Sequence, residues 1–400
     1  LYVGSPKECN VKWKATGNTT RKDFIYALLL LVVCAGCNNR KHTDADNDAD
    51  TVKVMLDDRT ISFYYNWYGN PEVDGGMKHW AHPIAPTPGP PGDAGVISGL
   101  DDDIACNFYP ELGTYSSNDV EVVRKHIQMH VKANIGVLSV TWWGESDYGN
   151  KSVSLLLDEA AKVGAKVCFH IEPFNGRSPQ TIRENIQHIM DTYGNHPAFY
   201  RTQGKPLFFI YDSYLIKPEE WAGLFGEKGE ISVRNTKYDG LFIGLTLKES
   251  ELADIEKAGM DGFYTYFAAT GFTNASTPAN WKSMQQWAKE HHKLFIPSVG
   301  PGYIDTRIRP WNESTTRDRE NGKYYDEMYK AAIESGAPYI SITSFNEWHE
   351  GTQIEPAIPM KCNVFEYLDY QPLENDYYLL RTAYWVDQFQ KANSAPDTSL

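Results

Sequence analysis

The chain has 400 residues, 42% hydrophobic and 22% charged, a composition that supports a globular core and excludes wholesale disorder. Its 38 basic and 52 acidic side chains leave a formal charge of −14, which argues against nucleic acid or an acidic membrane surface as a partner. Eleven Trp and 25 Tyr are more aromatic surface than a core of this size needs, and flat aromatic faces are what sugar rings stack on.

Residues 1–20 carry no regular apolar pattern and enter no fold argument. Arg21 and Lys22 then precede an apolar run, Phe24–Val33, that ends in Cys34-Ala35-Gly36-Cys37. A basic region, a short apolar region and small residues before a Cys describe a secretory signal, too short for an ordinary transmembrane helix. Ala35-Gly36-Cys37 resembles the bacterial lipobox. Residues 1–37 are therefore expected to be an upstream segment and lipoprotein signal peptide. Cys37 would be the lipidated first residue of the mature chain, held at the bacterial cell envelope, surface or periplasm, by its lipid alone. Residues 38–58 read as an acidic, flexible tether. Asp44, Asp46, Asp48 and Asp50 alternate there, but the Gly and bidentate Glu of a calcium loop do not follow. Cys9, Cys106, Cys168 and Cys362 show no CxxC spacing and imply no disulfide framework; Cys168, inside an apolar run, reads as a buried thiol.

Residues 59–395 read as one catalytic domain. Short apolar runs recur at Ile61–Tyr65, Ile135–Trp142, Lys166–Glu172, Pro206–Asp212, Gly240–Leu247, Gly262–Tyr266, Lys293–Val299 and Tyr339–Phe345. They are continuous, not alternating, as strands buried on both faces should be. Amphipathic stretches separate them: Val120–Ala133, Val153–Val163, Thr181–Tyr193, Glu219–Phe225, Glu249–Ala258, Ala279–His291 and Lys323–Glu334, with a last one at Asp376–Lys391. This α/β alternation predicts a single (β/α)8 TIM barrel, with long βα loops and the active site at the strand C-termini. An open doubly wound sheet is the competing arrangement, though no GxGxxG or GxxxxGK[ST] follows an early strand. The first βα loop, Asn66–Asp119, is long enough to be a substrate-shaping wall.

Aromatics and carboxylates converge at the ends of these runs. The candidates are Tyr64, Trp142, Trp143, Glu172, Tyr211, Tyr266 and the stretch Ser344–Gly351, which holds Glu347, Trp348, His349 and Glu350. Glu347 and Glu350, three residues apart, can share one face with Cβ atoms about 5–6 Å apart. Two carboxyls that close repel when both are ionised, so one keeps its proton and can act as an acid, as glycoside hydrolysis requires. His349-Glu350 lacks the second His of HExxH, no GxSxG elbow exists, and no His/Cys cluster has zinc spacing, so no metal or other cofactor is expected.

Ser344–Pro356, reading SFNEWHEGTQIEP, resembles the catalytic stretch of glycoside hydrolase family 99, the endo-α-1,2-mannosidases and mannanases. FYYNWYG (63–69), CNFYPELGTYSS (106–117), VTWWG (140–144), HIEPF (170–174) and Arg309-Pro310-Trp311-Asn312 are similar as well. The resemblance implies a (β/α)8 barrel that hydrolyses with retention and without a metal, using the sugar's own 2-hydroxyl as nucleophile to form a 1,2-anhydro sugar. It implies Glu347 as base on that hydroxyl and Glu350 as general acid/base. It also implies Trp142 or Trp143 stacking on the −2 sugar, with Tyr64, Glu172, Tyr266 and Arg309 as further contacts. The substrate would be α-mannan or a mannose-rich oligosaccharide, and the protein a monomer. Two rival readings are a family-99-like protein acting on another polysaccharide and a non-catalytic surface glycan-binding lipoprotein.

Overall fold

The computed structural model describes residues 56–85 and 95–394. The signal segment, Cys37, most of the tether and part of the Pro-rich stretch of the first loop lie outside the described residues.

Eight parallel staves form the barrel: β1 (Asp57–Tyr64), β2 (Ile135–Trp142), β3 (Lys166–Ile171), β4 (Lys205–Ile210), β5 (Leu241–Leu245), β6 (Gly262–Tyr264), β7 (Leu294–Ile296 and Ser298–Val299) and β8 (Ile340–Ile342). The ladder closes where β8 pairs with β1, Thr60 opposite Ile340, so the open-sheet alternative falls. β1 starts at Asp57, ahead of its apolar run. Backbone pairing with Ile135 carries the strand there whatever its side chains, and Asp57 accepts from the Arg59 backbone N–H at 2.7 Å.

Closure depends on the seventh stave. Pro297 has no N–H to give, and it divides β7 into a half that pairs with β6 and a half that pairs with β8. Hydroxyls bridge the break. The Ser298 N–H donates to Thr265 Oγ1 (2.9 Å), Ser298 Oγ accepts from the Tyr266 N–H (2.8 Å), and Ser298 Oγ lies 2.8 Å from Ser341 Oγ.

Eight helices surround the staves: α1 (Val120–Lys132), α2 (Val153–Val163), α3 (Pro179–Tyr193), α4 (Pro218–Phe225), α5 (Leu252–Lys257), α6 (Trp281–Glu290), α7 (Lys323–Ser335) and α8 (Tyr377–Ser394). Their starts follow from local chemistry. The Asp119 carboxylate accepts from the Glu121 N–H at 2.8 Å, and Ser178 with Thr181 forms a reciprocal capping box ahead of Pro179. Inside the barrel, Phe63, His170, Phe209 and Tyr264 build an aromatic layer, with Phe63 4.6 Å from His170 and 5.2 Å from Phe209 between ring centres. His170 Nε2 and Tyr264 Oη lie 2.7 Å apart, which satisfies both buried polar groups. Cys168 is buried, and burial pushes its thiol up to about 12.

The opposite, N-terminal end of the staves is pinned by Arg234. Its guanidinium donates to the carbonyls of Phe225, Gly240 and Gly259 and to Asp239 and Asp261, between 2.6 and 3.0 Å. Removing the guanidinium leaves three carbonyls and two half-buried carboxylates without this donor. Arg234→Met is therefore expected to lower the unfolding free energy by about 2–3 kcal/mol in denaturant titration.

Candidate active site

Alternation along β1 decides which tyrosine enters the site. Ser62 and Tyr64 face outward to α1: Ser62 Oγ lies 2.8 Å from His130 Nε2, and Tyr64 Oη lies 2.8 Å from His126 Nδ1. Tyr64 also stacks on Phe345 and is fully buried, so the expectation that it faces the site is corrected; Tyr65 lines the pocket instead. The same parity corrects Trp142. Its indole donates to Asn185 Oδ1 (2.6 Å) and packs near His188, both on α3, while Trp143 lines the pocket. Trp348 is corrected too: it is fully buried, and its N–H points to Glu355 Oε2 at 3.0 Å, away from the cavity.

Glu172, Tyr211, Tyr266, Arg309, Glu347, His349 and Glu350 come together around a cavity of about 220 Å³ above the aromatic layer. Tyr65, Trp67, His79, His82, Trp143 and Ile308 complete its wall. Tyr266 adopts a left-handed backbone (φ 52°), a strained state for a non-glycine residue, and its hydroxyl meets that of Tyr65. Four of the lining residues hold a buried polar atom with no partner in the protein: Glu347 Oε2, Glu172 Oε1, Trp67 Nε1 and Trp143 Nε1. Two indole donors and two carboxylate acceptors left open in one cavity match a ligand rich in hydroxyls. Glu172 Oε1 lies 2.8 Å from His170 Nδ1, out of hydrogen-bond alignment.

The loop after β8 is built to hold the Glu347–Glu350 pair still. Its ends are laced together: the Ser344 N–H donates to Thr352 O (2.9 Å), Ser344 Oγ accepts from the Glu347 N–H (2.7 Å), and the Glu355 N–H donates to Phe345 O (3.0 Å). Gly351 (φ 59°) lets the loop press on the segment after β7, since a Cβ there would sit 2.6 Å from Ile304. Beneath the loop lies the fully buried Glu355 carboxylate. It accepts from Tyr115 Oη (2.8 Å) and the Trp348 indole (3.0 Å) and meets His126 Nε2 at 3.0 Å. Asn346 then clasps the Tyr65 backbone, accepting from its N–H (2.7 Å) and donating to its carbonyl (2.9 Å).

Glu347 is 3% exposed; its Oε1 accepts from the His349 N–H (3.1 Å) and its Oε2 is open. Glu350 is less buried, its side chain 23% exposed among the lining residues. Burial, reinforced by the Glu347 charge, pushes Glu350 up to about 8, against the opposing pull of Arg309, whose Nη1 lies 3.6 Å from Oε1. One carboxyl of the pair therefore holds a proton at neutral pH. Burial also raises Glu172, while burial and the neighbouring His349 hold His79 neutral, its pKa lowered to about 3. Among the described residues, no group of three or more His, Cys, Asp or Glu side chains is placed to hold a metal ion.

A second cavity of about 370 Å³ adjoins the first, lined by Phe267, Ala269, Phe272, Tyr303, Trp311 and Asn312. The two share Arg309 and Glu350. Glu347 borders the inner cavity alone.

Residues 55–391 match the model of the family described as glycosyl hydrolase family 99. The chain is 47% identical over 344 residues to the glycoprotein endo-alpha-1,2-mannosidase of Mus musculus, covering 82% of this chain and 74% of that one. It is 48% identical, again over 344 residues, to a glycoprotein endo-alpha-1,2-mannosidase-like protein of Homo sapiens, covering 82% and 75%. Among solved structures, the GH99 endo-alpha-mannosidase from Bacteroides thetaiotaomicron superposes with a TM-score of 0.84 at 86% identity, over 85% of this chain and all of that one.

The two adjacent tryptophans separate packing from the cavity wall. Trp142→Ala is expected to cost about 3–5 kcal/mol of stability, because it empties a fully buried site. Trp143→Ala should cost less, about 1–2 kcal/mol, because its indole is half-buried beside Trp67 and lines the cavity. Paired thermal or denaturant melts check both.

Proposed function

The chain belongs to glycosyl hydrolase family 99, and from that premise we propose that it cleaves α-1,2-mannosidic linkages within α-mannan or mannose-rich oligosaccharides, with retention of configuration. Family membership makes it a glycoside hydrolase. The observation that carries the finer reading is the placement of the two carboxyls: Glu350 sits on the border of both cavities, and Glu347 faces the inner one. A general acid must reach the oxygen that joins two sugars, which lies on such a border. A base acting on the sugar being cleaved belongs on one side of it. Space on both sides of Glu350 also suits attack within a chain.

In an α-mannoside, the axial O2 lies anti to the axial leaving group on C1, so internal attack needs no rearrangement of the bound ring. Glu347 Oε2, open and buried, takes the O2 proton as O2 bonds to C1. The C1–leaving oxygen bond breaks, and Glu350 gives that oxygen its proton. Water then attacks C1 of the 1,2-anhydro sugar and passes a proton to Glu350, while the departing O2 recovers its own from Glu347. Two inversions give net retention, and both carboxyls regain their starting states. Trp143 and Trp67 offer indole faces and N–H groups to the glycone, while Phe272 and Trp311, both exposed, offer stacking surfaces to the leaving portion.

Digestion of α-mannan and of a Glc/Man-α-1,3-Man-α-1,2-Man oligosaccharide, with product sizing, tests the reading; products from neither substrate overturn it. Glu350→Gln is expected to lose about 10²–10⁴-fold on these substrates and to recover part of it on a glycosyl fluoride or activated aryl glycoside, which needs little protonation. Glu347→Gln should stay inactive on both. The reverse pattern would exchange the two roles.

The Arg21-Lys22, Phe24–Val33 and Cys37 pattern supports a lipid-anchored protein of the bacterial cell envelope. Cys37→Ala should move the protein from the detergent phase to the aqueous phase on partitioning, with unchanged activity.

A further inference from the structure

Several groups face the Glu350 carboxyl. Glu347 comes from its own loop, and Arg309, Asp305 and Tyr303 from the segment after β7; Tyr65, Tyr211 and Tyr266 come from the ends of β1, β4 and β6. Arg309 bears the positive charge among these. Its Nη1 is shared, but unequally: it donates to Asp305 Oδ2 at 2.9 Å and stands 3.6 Å from Glu350 Oε1. Asp305 is fully buried in a tight turn, where its carbonyl accepts the N–H groups of Ile308 (3.0 Å) and Arg309 (2.8 Å). The same Oδ2 also accepts from Tyr303 Oη (2.8 Å) and Asn312 Nδ2 (2.9 Å). The turn is tied to the catalytic loop, since the Ile304 N–H donates to Glu350 O at 2.8 Å.

We propose that Asp305 is a positioning residue for the reaction: it holds the Arg309 guanidinium at hydrogen-bond distance from itself, and so keeps Arg309 from closing its 3.6 Å contact with Glu350 to a hydrogen-bonded pair. The inference rests on the reading of Glu350 as general acid. A planar guanidinium pairs readily with a carboxylate, and a full Arg309–Glu350 pair would favour the ionised acid, which has no proton to give. Asp305 supplies the competing carboxylate. It leaves Arg309 beside both cavities, free to donate through its other nitrogens, without spending it on the acid.

Asp305 Oδ1 has no partner in the protein, so Asp305→Asn can place its amide nitrogen there and keep an oxygen where Oδ2 now accepts three donors. The experiment is the pH profile of kcat/KM on an unactivated α-1,2-mannoside. The basic limb reports the acid of the free enzyme. In Asp305→Asn it is expected to move to lower pH by about one unit or more, with activity recovering on acidification. A folding defect alone would not give that recovery. An unmoved limb, or a loss uniform across pH, overturns the proposal. Arg309→Gln is the second arm and holds if Asp305→Asn does not fold: the limb should move to higher pH, and a fall or no change overturns the proposal. Glu350→Gln in the same assay separates the two levels. If its profile keeps the basic limb, the acid assignment itself fails. If it loses the limb while Asp305→Asn leaves it in place, only the role of Asp305 falls.

Discussion

The fully buried carboxylate of Glu355 is the interaction on which the rest of the site depends. It gathers two partners distant in sequence, Tyr115 of the first loop and His126 of α1, and one from its own loop, the Trp348 indole between the two catalytic candidates. A carboxylate out of water persists only when its lone pairs are filled, and each charged hydrogen bond contributes about 1.5–3 kcal/mol. That requirement works in both directions. The donors must converge for the charge to be tolerated, and their convergence locks the loop from Ser344 to Glu355 against the barrel wall. Tyr65, clasped through Asn346, is carried into the cavity by the same network.

On this loop, two carboxyls are held within reach of each other's charge. Their repulsion, together with burial, distinguishes chemically identical side chains: Glu350 is pushed up to about 8, and Glu347 keeps an unpartnered oxygen facing the inner cavity. A mobile loop would relax the repulsion by letting one side chain swing into solvent. The positive charge of Arg309 is shared with Asp305, so it moderates this arrangement without cancelling it.

The aromatic richness of the chain has more than one cause. Phe63, Phe209 and Tyr264 fill the barrel beneath the pocket, while Tyr64, Trp142 and Trp348 pack between staves, helices and loops and satisfy their polar ends internally. Tyr65, Trp67, Trp143, Tyr211 and Tyr266 face the inner cavity, and Phe272 and Trp311 the outer one. Composition alone could not separate these uses, because a buried ring and a sugar-stacking ring are the same residue type in different surroundings.

Much of this protein was legible in the sequence. Eight apolar runs alternating with amphipathic stretches determined the barrel, because strands buried on both faces and helices buried on one leave distinct periodicities. Spacing marked Glu347 and Glu350, since three residues along one turn are close in any fold. Parity was not legible. A run apolar at every position does not say which side chains face the barrel axis, so Tyr64 and Tyr65, or Trp142 and Trp143, exchange places without changing the pattern. The residues missed altogether, His79, His82, Asp305 and Glu355, stand in loops with no periodicity to read. Their roles arise only when folding brings Asp305 beside Glu350, or Glu355 beside His126. Local spacing determined the barrel and marked the candidate carboxyl pair. Tertiary structure alone decided what surrounds that pair, because burial and charge act through space between residues far apart in the chain.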